Sequence, residues 1–299
     1  PQLTQYWPLE GGAPGSDEAE NVVANGNPGK LTSYTDLNSA WASTPIASTL
    51  AGRSTKVLML DGVNSYLSGG LIDLGPARSA NGTISLWVRA SDLTGDRRLL
   101  GQVNTGNAMG FSGITPAGKV WVYDIVSNFG QGFMYPGPEY GTLKQDEWAH
   151  LTFTYENGTT TLYLNGIKQQ TVPCGFTAVT LGFGNKTRTT LGSAFSGYMD
   201  DIAIWDRSLS PGSIAQLASG TVPTAISEEP KLVAMVSWSA SFLSGVVQRA
   251  PAPTGPWTDV PTALPLFYPG TTPMVGAATR NVTVELDPNS QAQYFRLKL

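Results

Sequence analysis

The stretch Gly197-Tyr198-Met199-Asp200-Asp201-Ile202-Ala203-Ile204-Trp205-Asp206-Arg207-Ser208-Leu209-Ser210 decides how the chain is read. Tyr198 to Trp205 has the apolar content of a buried strand, opens on two adjacent carboxylates and closes into a polar turn. Successive side chains of a regular strand point to opposite faces, so Asp200 is expected to share a face with Ile202 and Ile204, and Asp201 to point away with Ala203. On that reading the pair cannot work as one acid/base couple. Beyond the turn, Ser210-Pro211 reads as an N-cap followed by proline in the first helical turn, and Gly220 as a stop, which predicts one helix from Ser210 to Ser219.

Similar strand-like runs lie upstream, at Leu3 to Leu9, Lys56 to Leu60, Thr83 to Arg89, Lys119 to Val126, Ala149 to Tyr155, Thr159 to Leu164 and Thr189 to Leu191. Gly, Asn or Pro bound them. Asn157-Gly158 and Asn165-Gly166 each follow a strand, and Asn-Gly favours a type I′ hairpin turn because both central residues need positive φ. Charged residues are only 13% of the 299, while Gly (34) and Pro (21) are abundant, the composition of short strands and many turns. The fold class expected is all-β.

The same composition narrows the function. A net charge of −4 without a Lys/Arg cluster offers no footprint for a phosphate backbone, so nucleic acid is not an expected partner. Cys174 and His150 each stand alone among their kind, which excludes an intrachain disulfide and Cys- or His-based metal chemistry. No run of about 18 apolar residues occurs, so membrane insertion by a helix is not expected. Pro1 stands directly before the first strand, as expected of a chain whose signal peptide has been removed or trimmed.

The hairpin Trp148 to Gly166, the terminal pattern Gly197 to Ser210, and the pieces Tyr6-Trp7-Pro8-Leu9, Asn25 to Gly29, Leu60 to Leu67 and Thr83 to Val88 are similar, in order, to laminin-G-like domains. These domains belong to the concanavalin A-like lectin/glucanase superfamily. The resemblance implies a jelly-roll sandwich over residues 1–220, extracellular or at the cell surface. It also implies that Trp7, Trp87, Trp148 and Trp205 are core residues. A polar, proline-containing linker is expected at 221–231, and residues 232–299 restart a β pattern as a second, smaller β-sandwich. The pieces Gly255 to Val260 and Tyr294 to Leu297 resemble short C-terminal domains, often fibronectin III-like.

One aspartate of the terminal pattern often touches a structural calcium ion in such domains, so the resemblance implies a Ca2+ site. Its expected ligands are Asp200, the likelier of the two, Asp201 and the segment near Glu10 or Gly12. Oxygen ligands of this kind suit a hard cation. In the alternative reading both carboxylates cap turns or meet Arg207. The acidic run Asp17 to Glu20 lacks the spacing of an EF-hand loop and reads as a solvated loop.

Family enzymes of this fold present their acid and nucleophile as E-x-D-x-(x)-E on one strand face, and no such spacing occurs here. Glu139, Asp146 and Glu147 lie near aromatics without forming that pattern. His150 falls inside a strand, as a packed structural histidine, and no Ser/His/Asp arrangement is credible around it. The expectation is a protein that is not an enzyme.

Carbohydrate needs flat apolar surfaces framed by polar groups. Trp121, Tyr123, Phe129, Phe133, Tyr135 and Tyr140 fall in one window with Asn128, Gln131 and Glu139, and are the candidates for a sugar platform. The other reading packs these rings into the core. The expected function is therefore a non-catalytic, lectin-like protein whose partner is a glycan or polysaccharide. The alternative is a structural or adhesive subunit of an extracellular assembly, with self-association or other surface proteins as partners.

Overall fold

The computed structural model describes residues 1–43, 47–50, 52, 54–75, 79–103, 110–122, 141–173, 176, 178–184, 193–227, 233–239, 246–250, 252–259, 279–285 and 294–298. Two compact units divide the chain, Pro1–Ser227 and Glu228–Leu299.

In the first unit the chain runs through β1 (Leu3–Trp7), β2 (Glu18–Ala19), β3 (Gly29–Thr32), β4 (Trp41–Ala42), β5 (Val57–Asp61) and β6 (Tyr66–Ile72). It continues through β7 (Gly82–Ala90), β8 (Arg97–Gln102), β9 (Gly110–Ile114), β10 (Val120–Val122), β11 (Trp148–Glu156) and β12 (Thr159–Leu164). Then come β13 (Ile167–Val172), β14 (Val179–Phe183), β15 (Ser193–Ala194), β16 (Ser196–Trp205) and the helix α1 (Pro211–Ala218). Two sheets result. One has the order β13-β12-β11-β7-β16-β5-β4, with β1 also on β16; the other has the order β10-β9-β8-β14-β6-β3-β2, with β15 on β8. The pairings are antiparallel apart from β15 with β8. This is the expected all-β sandwich.

Both Asn-Gly dipeptides form the turns expected of them. Asn157 and Gly158 have φ of 50° and 74°, Asn165 and Gly166 of 50° and 79°. They fold β11, β12 and β13 into a meander that fixes the register Leu151 opposite Leu164 and Glu156 opposite Thr159. The helix begins where the sequence places it, with the Ser210 hydroxyl accepting from the Ser213 N–H, and Gly220 leaves it at φ 94°. Gly197 opens β16 at φ 145°, and a Cβ there would lie 2.1 Å from the Arg89 carbonyl oxygen, so glycine is required for β16 to approach β7.

The core lies between the sheets. Trp7, Leu58, Ile84, Leu86, Val88, Leu151, Phe153, Met199, Ile202 and Ile204 meet Leu67, Leu99, Ile114, Val120, Val122, Leu181 and Phe183. The outer face of the first sheet is covered as well. Leu209, Ile214 and Leu217 from α1 and its lead-in pack on Tyr6, Tyr163, Ala203 and Trp205. Ala47 and Leu50 pack on Trp87, with Trp148 beside them. Strands β7, β11 and β16 are therefore buried on both faces, and their polar residues are interior groups.

The four tryptophans expected in the core hold that place differently. Trp7 and Trp205 are fully buried and Trp87 nearly so, while Trp148 is partly buried against the Trp87 cluster. The sequence runs at Lys119 to Val126 and Thr189 to Leu191 lie partly or wholly outside the described residues. Among the described residues no helix is long and apolar enough to cross a membrane.

In the second unit β17 (Val233–Ser239) pairs with β20 (Thr279–Glu285). Strand β18 (Val246–Ala250) lies between β19 (Thr258–Asp259) and β21 (Tyr294–Lys298). All these pairings are antiparallel, and the buried Gln248 and Ala250 mark an interior beside β18.

Trp7 joins the two layers. Its ring meets Phe183 edge-on at 5.8 Å, and its Nε1–H donates to the Asn27 carbonyl at 3.0 Å. Trp7→Ala is expected to cost about 3–5 kcal/mol in urea unfolding of the first unit. The double variant Trp7→Ala/Phe183→Ala should lose less than the sum of the single losses, because both remove the same contact.

Candidate functional site

Strand β16 has two neighbours along one edge. Ser196 to Met199 pair with β5, and Ile202 to Trp205 pair with β1. Asp200 and Asp201 occupy the changeover. On the other edge Asp200 stands opposite Trp87 and Ala203 opposite Ser85, so one residue of β7 faces two of β16. That is a β-bulge, and Asp201 takes the left-handed φ of 51° that an extra residue requires.

The bulge overturns the strict alternation expected from the sequence. Asp200 shares the outer face of the sheet with its partner Trp87, while Ile202 and Ile204 turn into the core. The extra residue also brings Asp201 to that outer side. There the hydroxyl of Tyr6 donates to its Oδ1 at 2.6 Å, and Tyr6 itself packs with Ala203 and Trp205. The two carboxylates thus lie together, 0% and 5% exposed.

The third predicted ligand arrives from the same junction. Glu10 follows β1, and its Oε2 accepts from the Thr55 N–H and the Thr55 hydroxyl, both at 2.7 Å. Glu10 thereby ties the exit of β1 to the segment leading into β5. Next along that segment, the Ser54 hydroxyl lies 2.8 Å from Asp200 Oδ2 and 3.0 Å from the Lys56 carbonyl oxygen. A hydroxyl has one hydrogen, so it cannot donate fully to both oxygens. A proton on Asp200, donated to Ser54, resolves the conflict.

The electrostatics agree. Burial first, then the neighbouring Asp201 charge and the charge of Glu10, push the Asp200 carboxyl up to about 8, against hydrogen bonds from Ser54 and the Asp201 amide. Among the described residues no Lys or Arg is among the groups acting on it. Asp200 therefore calls for a positive charge, and a hard cation would meet that need as well as a proton. Among the described residues no three His, Cys, Asp or Glu side chains already stand as a metal-binding group. What the junction supplies is Asp200 and Asp201 side by side, with Glu10 near enough to act on Asp200 through its charge.

His150 is buried as expected, 2% exposed, with its ring 5.2 Å from that of Trp87. Its Nε2 lies 2.8 Å from the Ser85 hydroxyl oxygen. Desolvation pulls the imidazole down to about 3, so it is neutral at physiological pH. Ser85 is equally buried.

Of the sugar candidates, Tyr123, Phe129, Phe133, Tyr135 and Tyr140 lie outside the described residues. Trp121 is described. Its neighbours Val120 and Val122 face the core, so Trp121 points to the outer face of the second sheet. There it crosses Gly113, where a Cβ would come within 2.3 Å of the indole. The Arg98 guanidinium lies 4.5 Å over the ring. The indole is 1% exposed, so it is covered rather than open to a ligand. Arg98, Ser54 and Tyr6 were not legible as site residues, since each meets its partner through strand register.

Residues 61–215 match the family described as the concanavalin A-like lectin/glucanases superfamily. No curated protein matches the chain. Among solved structures, domain 4 of AbnA, an extracellular GH43 arabinanase from Geobacillus stearothermophilus, seen with arabinotriose, is 20% identical with a TM-score of 0.52. That likeness covers 73% of this chain and 98% of the domain. Trypanosoma rangeli sialidase with 2,3-difluorosialic acid is 14% identical with a TM-score of 0.51, over 74% of this chain and 34% of the sialidase. At these identities the likeness shows the fold.

Asp200 and His150 give the first unit opposing responses to pH. Folded Asp200 keeps its proton to about 8 while the unfolded group releases it near 3.8, so its contribution is complete below that value and lost as pH rises toward 8. Folded His150 refuses a proton down to about 3 while the unfolded group accepts one near 6.5, so its contribution is lost as pH falls through that window. In EDTA, Tm is expected to be flat where the windows overlap and to decline on both sides. Asp200→Asn should remove the alkaline decline and His150→Asn the acid one, as read by thermal unfolding at stepped pH.

Proposed function

Because the chain belongs to the concanavalin A-like lectin/glucanases superfamily, we propose that it is an extracellular, non-catalytic glycan-binding protein whose first unit is stabilised by Ca2+. The observation that carries the non-catalytic reading is the burial of the chemistry. Asp200 and Asp201 are brought together but closed to a sugar, and Ser85 and His150 lie just as deep. A glycosidase needs two carboxylates that flank the bond being cut.

The ligand is a neutral or acidic polysaccharide. The fold's likeness to an arabinanase domain seen with arabinotriose and to a sialidase seen with a sialic acid derivative supports a carbohydrate partner in general. The binding face lies at the β8–β10 end of the second sheet. Trp121 and Arg98 meet there, and the candidate contact rings are the aromatic residues that follow Trp121 in sequence.

Ca2+ would be held by Asp200 with Asp201 and Glu10. It would offset the charge of the two buried carboxylates and would join β1, β5 and β16 at their meeting point.

A glycan array probed with and without Ca2+ tests the proposal. Tyr135→Ala is expected to weaken the best glycan by about 1–3 kcal/mol while leaving unfolding unchanged. Trp121→Ala should instead cost about 3–5 kcal/mol of stability. A folded protein that binds no glycan and sediments as a concentration-dependent oligomer would replace this reading with that of an assembly subunit.

The calcium part has its own test. Saturating Ca2+ should raise Tm most at alkaline pH, where it no longer competes with the proton on Asp200, with about 2.7 kcal/mol of stabilisation at a hundredfold excess over Kd. Asp200→Ala should abolish the shift, and an unchanged Tm on adding Ca2+ at pH 8 would remove the ion from the proposal.

A further inference from the structure

Three side chains alternate along the outer face of β11, at Trp148, His150 and Thr152. Each presents a buried polar atom without a hydrogen-bond partner among the described residues: Trp148 Nε1, His150 Nδ1 and Thr152 Oγ1. The residues around them are otherwise well matched. Ser85 serves the other nitrogen of His150, and the His150 N–H donates to Asn165 Oδ1 at 2.8 Å. His150 and Thr152 are 2% and 0% exposed, and Ala47 and Leu50 pack with Trp87 and Trp148 above this part of the sheet.

Leaving a polar atom unpaired in the interior costs about 1–3 kcal/mol, and three in a row on one strand face is a concentration that chance packing does not produce. Their chemistry is complementary. Trp148 Nε1–H only donates, neutral imidazole has one acceptor nitrogen, and a threonine hydroxyl does both. Alternate residues of a strand are about 6.6–6.8 Å apart. A water molecule with two hydrogen bonds at its near-tetrahedral angle spans about 4.5 Å between its partners, and side-chain reach makes that up to the strand spacing.

We propose that this face of β11 is a built hydration site, holding a file of about two ordered water molecules from Trp148 Nε1 past His150 Nδ1 to Thr152 Oγ1. The first water accepts from the indole N–H and donates to His150 Nδ1. That fixes the imidazole as the tautomer protonated on Nε2, which donates to the Ser85 oxygen. The second water bonds to the first and to the Thr152 hydroxyl, because the single lone pair of Nδ1 is already taken. The file runs along β11 from Trp148, beneath Ala47 and Leu50, to the centre of the sheet, and is independent of the glycan and calcium readings.

Two measurements on the intact protein decide it. A crystal structure at high resolution is expected to show water peaks within hydrogen-bond distance of the three atoms, and the 15N spectrum of labelled histidine to report a protonated Nε2 and a bare Nδ1. Thr152→Val keeps the shape of the side chain, so it should fold and lose the water next to it while the tautomer stays unchanged. His150→Phe should empty the file. Absence of the peaks in the wild type, or an imidazole protonated on Nδ1, would overturn the proposal, as would a crystal in which Thr152 bonds His150 directly. Oxygen-17 relaxation dispersion gives a check in solution, with fewer long-lived waters expected in both variants than in the wild type.

Discussion

One strand must satisfy three neighbours, and most of the first unit follows from how it does so. Strand β16 pairs with β7 along one edge and divides the other edge between β5 and β1. Two strands ending against the same edge leave a short break, where the backbone needs an extra residue and the interior needs polar partners. The bulge at Asp200 and Asp201 supplies both. A hydrophobic residue at either position would leave the Tyr6 and Ser54 hydroxyls without the partners they have here. The carboxylates are thus fastenings of the fold before they are anything else, and any cation they attract acts on the joint between strands.

The first sheet has an unusual second interior. Between its outer face and the cover of α1 and residues 47–50 lie Ser54, Ser85, His150, Thr152, Asp200 and Asp201, all buried. An apolar layer there would pack without hydrogen-bonding demands. A polar one adds direction, because each group accepts only certain partners at certain angles. This layer determines where the cover sits, whereas the apolar core between the sheets determines that the two sheets come together. The ligand face proposed on the opposite sheet is therefore held by a body stiffened from behind.

Much of the architecture was legible because it depends on local signals. Both Asn-Gly turns, the Ser210 cap and the strands β7, β11, β12 and β16 were read close to their observed bounds. Strands β2, β3, β6, β8, β9, β13 and β14 were not singled out; they are short, or glycine-containing like Tyr66–Ile72, or polar like Ile167–Val172, and such runs carry weak alternation. The site was legible in composition but not in geometry. Asp200, Asp201 and Glu10 were named together, and Asp201 lies on the side of Ala203 as read, yet Asp200 was placed with Ile202 and Ile204, because one bulged residue reverses the face of its neighbours. Nothing local announces a bulge forced by two strands that are distant in sequence. The same reason hides Arg98 over Trp121, a contact made across β9.

The division of β16 between β5 and β1 also matters to a chain that is still being made. Strand β1 leaves the ribosome before the other strands of this unit, but Trp7 finds its partner Ile202 only after nearly the whole unit has followed it. Until then its apolar residues have no sheet to join and are available to other chains or to chaperones, since contacts of such sequence separation form late. Closure of this unit is set by the last of its strands to be synthesised, and a ribosome stalled before Ser196 would hold a nascent chain lacking the strand that β1 needs.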